Sequence, residues 1–284
     1  MIRRINYALA LILLVLAVAA CGKKEEAQSQ KTEPAAAQPP AIIPGEMVLI
    51  PAGEYIIGKD EKDPENKSRW TNTYPEHKVK LPAFWIDRYE ATGMEFLEFT
   101  SKTAYVAEGE SENKTWRTFF NINKPHSPVT YVTWKDADSY CKGMGKRLPT
   151  EEEWEAAARG PNGLRFPWGN DWQDNRANTM EAGSGVPDDV GKFDDVSPFG
   201  VHDMFGNVQE WTASMYKPYK GNPGGDEYNK GQRVVRGLSS SFKNGRGSGL
   251  YVRMFSPPNY LANFGCRCAK DATPADAAKA APAK

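Results

Sequence analysis

Residues 127–160 read SPVTYVTWKDADSYCKGMGKRLPTEEEWEAAARG, the clearest periodicity in the chain. Ala137, Tyr140, Cys141 and Met144 fall at i, i+3, i+4 and i+7, which places them on one helical face turned to the core. Gly145 then fits the left-handed position that ends a helix. Thr150 with Glu153 three residues on has the form of a capping box. Trp154, Ala157 and Ala158 give the next helix its buried stripe, and Gly160 stops it. The stretch therefore encodes two short amphipathic helices joined by a tight turn, with Cys141 pointing inward.

Working outward, the pattern becomes irregular. MVLIPAGEYIIG, Met47–Gly58, reads as two short β-rich runs flanking Pro51-Ala52-Gly53, a hairpin signal. HKVKLPAFWIDRYEAT, His77–Thr92, carries Val79, Leu81, Phe84 and Ile86 in a further strand. Thr92 with Glu95 forms another capping box, and Phe96 and Phe99 share a face of the helix that follows. From Leu164 on, Gly, Pro, Asn and Asp dominate, as expected for loops and short strands pinned by aromatics. The sequence thus predicts a single α+β domain over residues 45–271, low in regular secondary structure and without internal repeats.

The ends carry an address. MIRRINYALALILLVLAVAAC has Arg3 and Arg4, an apolar run and small residues before Cys21, the pattern of a signal peptide over residues 1–20. Val18-Ala19-Ala20-Cys21 resembles a bacterial lipobox, which implies diacylation of Cys21 (palmitate-type chains) as the mature N-terminus. Gly22 after it implies the outer membrane, facing the periplasm or the cell surface. Residues 21–44 read as a lipidated cysteine and disordered tether, and residues 272–284 as a disordered tail. The membrane partner is then lipid, and the compartment is oxidising.

The chain has 284 residues, 36 basic and 36 acidic, so no basic face calls for a nucleic acid. Only His77, His126 and His202 are available to a metal or a triad. A serine-hydrolase reading fails for want of G-x-S-x-G.

GKRLPTEEEWEAAARG, FPWGN, FGVHDMFGNVQEW and RVVRG…FGCRCAKD occur in one order, and together they resemble the formylglycine-generating enzymes, or sulfatase-modifying factors. The resemblance spans about residues 45–270 and implies a variant of the C-type-lectin fold. Catalytic members oxidise a cysteine of a client sulfatase with a copper-binding cysteine pair. Here the matching stretch, Arg236–Arg253, has no cysteine. Anchored on Arg253, the pair would fall near Gly245 and Leu250, which cannot bind soft Cu(I), so copper is not expected. The family's RGGSW is altered to Arg236-Gly237-Leu238-Ser239-Ser240. Iron-dependent sulfoxide synthases share the domain but need a further helical domain and an iron site that this chain does not hold.

The resemblance also implies a disulfide between Cys141 and Cys268. It implies a structural calcium loop as well, whose ligands are the Asp203 and Glu210 carboxylates and the Gly206 and Val208 carbonyls; calcium takes six to eight hard oxygens. A second calcium site, built on the family's match to Asn178, is not expected because its acidic loop is short here. Cys266 stands where the family has Phe. It is either a small buried residue or part of a redox or metal site with Cys268 or Cys141. The lobe over residues 236–262 corresponds to the client groove, with Phe242, Arg246, Tyr251, Arg253, Phe255 and Tyr260 as contact candidates. A ligand binder diversified in that Ser-, Gly- and Tyr-rich lobe also fits.

The expected function is a non-catalytic envelope binding or assembly module for a protein or glycan partner. The alternative is a formylglycine-generating-type oxidase that uses Cys266.

Overall fold

The computed structural model describes residues 42–60, 71–108, 115–183, 185–222, 231–243 and 245–280. The signal peptide, Cys21 and nearly all of the tether lie outside the described residues. In chain order the elements are β1 (Met47–Ile50), β2 (Gly53–Ile57), β3 (His77–Leu81), β4 (Phe84–Asp87), α1 (Gly93–Thr103), α2 (Trp116–Phe119), α3 (Trp134–Gly143) and α4 (Glu151–Arg159). They continue with β5 (Gln209–Met215), β6 (Arg233–Arg236), β7 (Arg253–Ser256), β8 (Phe264–Gly265), β9 (Ala269–Asp271) and α5 (Pro274–Ala280).

The strands form three small sheets, ordered β1-β4-β9, β2-β3 and β7-β6-β5-β8. All pairs are antiparallel except β5 with β8, which aligns Glu210 with Gly265. The hairpin expected around Pro51-Ala52-Gly53 does not form. Pro51 has no N–H with which to continue a ladder. The chain changes sheets there, β1 pairing with β4 and β2 with β3. The strand expected from Val79 to Ile86 is two strands, broken at Pro82-Ala83. Phe84 and Ile86 are buried, whereas Val79 and Leu81 are half-buried.

The helical expectations fare better. Thr92 and Thr150 close their expected capping boxes with Glu95 and Glu153, and Thr133 closes a further one with Asp136 that the sequence reading did not name. Ala137, Tyr140 and Cys141 are buried on α3, but Met144 is exposed, because the helix has reached its C-cap there and Gly145 (φ 70°) turns the chain away. The tail also departs from expectation. Thr273 caps α5 through a reciprocal pair with Asp276, Pro274 opens the helix, and the alanines carry it.

Two apolar cores result. One gathers Trp154, Phe166, Phe205 and Leu250 between α4 and the aromatic loops. The other gathers Phe96, Phe99, Tyr140, Trp211 and the cysteines Cys141, Cys266 and Cys268.

Candidate functional site

The cysteines come together in the second core. Cys141 on α3 is disulfide-bonded to Cys268, with a Cα–Cα distance of 5.5 Å. Cys266 is a free thiol with no exposed surface. Burial pushes it well above the usual thiol range, and the carboxylates of Glu210, Asp87 and Glu95 push the same way. Gly245 and Leu250, where the pair of a catalytic member would fall, are also enclosed. A side chain at Gly245 would meet Trp172 at 3.1 Å, and Leu250 sits in the first core.

The loop Asp203–Glu210 belongs to a buried acidic cluster with Glu90 and Asp195. Asp203 takes a positive φ of 60°, and its Oδ2 accepts from Gly191 N–H at 2.6 Å. Its own N–H donates to Asp195 Oδ1 at 3.0 Å. Burial raises Asp203 to about 7. Burial and the neighbouring Asp203 push Asp195 well above the carboxylate range.

Glu210 is differently placed. Its Oε1 accepts from Arg267 Nη2, and its Oε2 accepts from Arg267 Nε and Trp154 Nε1, all at 2.8 Å. Both oxygens of this expected ligand are therefore held by N–H donors, and a permanent cation already lies against them. Among the described residues, no group of three or more His, Cys, Asp or Glu side chains is arranged to hold a metal ion. Of the four expected donors, the Glu210 carboxylate is thus already engaged by Arg267 and Trp154 as the structure arranges it.

The groove candidates separate. Tyr251 and Arg253 are buried and belong to the frame, not to a surface. Arg253 forks onto both oxygens of Glu151 at 3.0 and 2.7 Å and lies over the rings of Tyr216 and Tyr219. Phe242 is half-buried against the first core. Arg246 is exposed and paired with Asp174, Phe255 rests on Tyr216, and Tyr260 stands exposed above Phe264.

None of the six lines a cleft that the described residues form on another side of the second core. That cleft encloses about 480 Å³, a volume suited to a small ligand or a side chain. One wall is α2 and the residues beyond it, Trp116, Phe119 and Phe120; another is Ser127–Tyr131; Val186, Ser241 and Asn263 complete it. The walls are laced to α1. Gly93 N–H donates to the Ser127 carbonyl and Val129 N–H to the Ala91 carbonyl, both at 2.8 Å. A Cβ at Gly93 would meet the Phe120 ring at 2.6 Å, so any larger residue there displaces that wall of the cleft. Phe119 and Tyr131 stack with centroids 3.7 Å apart. Of the lining residues, Phe119 and Val186 are exposed apolar side chains. Sequence reasoning missed this site. Its signal was the aromatic density of TWRTFFNINKPHSPVTY, residues 115–131, which has no helical or strand period to draw attention.

Residues 31–272 match the family model described as the sulfatase-modifying factor enzyme 1-like domain. The chain belongs to this family. Its α+β architecture is the formylglycine-generating-enzyme-like fold. Within the sulfatase-modifying factor family, it is 32% identical to the inactive C-alpha-formylglycine-generating enzyme 2 of Mus musculus, over 80% of this chain and 86% of that one. It is 28% identical to the formylglycine-generating enzyme of Bos taurus, over 89% of this chain and 86% of that one. Among solved structures, PvdO from Pseudomonas aeruginosa superposes with a TM-score of 0.67 at 25% identity, over 84% of this chain and all of that one. Sulfatase-modifying factor family membership thus spans active and inactive proteins, and the choice between them turns on the residues above.

Proposed function

We propose that this protein is a non-catalytic binding or assembly module of the bacterial envelope, anchored by lipid at Cys21 and facing the periplasm or the cell surface. In this reading the aromatic cleft holds a protein or glycan partner. The observation that carries it is the state of Cys266. It is the sole described thiol outside the disulfide, it is fully buried, and its environment disfavours the thiolate that copper binding and oxygen chemistry require. No cysteine stands between Arg236 and Arg253 to replace it. The likeness to an inactive relative at 32% identity agrees with this reading. It needs no bound metal.

The rival reading is an oxidase of protein cysteines that uses Cys266, and the active relatives keep it in view. One experiment separates the two. The protein is alkylated at about pH 8.5, where an ordinary free thiol is substantially ionised, first native and then in guanidinium. Cu(I) titration and a cysteine-peptide oxidation assay run in parallel. The binding module gives modification of Cys266 after denaturation alone, no stoichiometric copper and no aldehyde product. Native labelling of Cys266 with copper uptake and peptide oxidation would establish the oxidase instead.

A further inference from the structure

We draw no further inference here: the strongest candidate, the apolar cleft between α2 and Ser127–Tyr131, belongs to the site already described, and nothing in the structure shows what covers it.

Discussion

Arg267 is fully buried, and its guanidinium meets five oxygens: both of Glu210 and the carbonyls of Asp87, Arg88 and His202. Carboxylate and backbone oxygens of this kind are what a calcium ion gathers, and here an arginine fork gathers them. One side chain thus ties the end of β4, the loop before Asp203, β5 and, through Trp154, α4. The sequence could hardly disclose it. In FGCRC the cysteines draw attention, and the arginine between them carries no pattern that says what it faces. Two measurements follow at this scale. Arg267→Ala leaves Glu210 buried with its charge uncompensated, which costs about 3–5 kcal/mol by chemical denaturation. EGTA leaves the Tm unchanged, and calorimetry finds no calcium bound at the Asp203–Glu210 loop. A clear fall in Tm on chelation, restored by calcium, would show that a metal shares the load.

Among the elements, those whose signals are local were legible. Thr92 and Thr150 cap their helices because a threonine oxygen and an acidic side chain three residues on satisfy backbone donors within one turn, whereas the equivalent Thr133–Asp136 pair went unread. The strand pairing was not legible. Pro51-Ala52-Gly53 has the composition of a turn, but which strands pair depends on distant partners, and β1 finds β4 while β2 finds β3. The cleft was missed for a related reason. Its walls come from the start of α1, α2, the segment before α3 and three distant loops, none amphipathic in register with another.

The α4 cap tests how far local signals carry the energy. Glu153 accepts from Thr150 N–H at 2.8 Å and also takes a fork from Arg147 at 2.7 Å twice. Thr150→Ala removes one cap bond and should cost about 1 kcal/mol. Glu153→Ala removes the reciprocal cap and strands Arg147 beside Asp271, so it should cost about 2–3 kcal/mol. Urea unfolding decides the order, and equal losses would mean that the fork contributes nothing.

For the molecule as a whole, the family motifs marked the frame because they are runs of adjacent residues. The expected disulfide is present because Cys141 faces inward from α3 and meets the segment that joins β8 to β9. The groove candidates divided because an arginine or a tyrosine in a loop-rich lobe looks the same in sequence whether it faces solvent, as Arg246 does, or a buried partner, as Arg253 does with Glu151.

The disulfide is also where the global stability of this fold is most open to test. Cys141 and Cys268 are 127 residues apart, so the bond closes a loop of more than half the domain in the unfolded chain. The sheets are short and the loops long, and little regular hydrogen bonding compensates if that constraint is lost. Closing a loop of this length stabilises by about 4–5 kcal/mol in the chain-entropy model. For a domain of this size that corresponds to a Tm lower by roughly 10–20 °C in Cys141→Ala/Cys268→Ala than in the parent. Scanning calorimetry of the oxidised parent and the double variant measures the difference, and peptide mapping of the parent verifies that Cys266 stays outside the bond. A difference of a degree or two would mean that the cores hold the chain ends together without it. An oxidising compartment would then be incidental to this fold, rather than a condition for its staying folded.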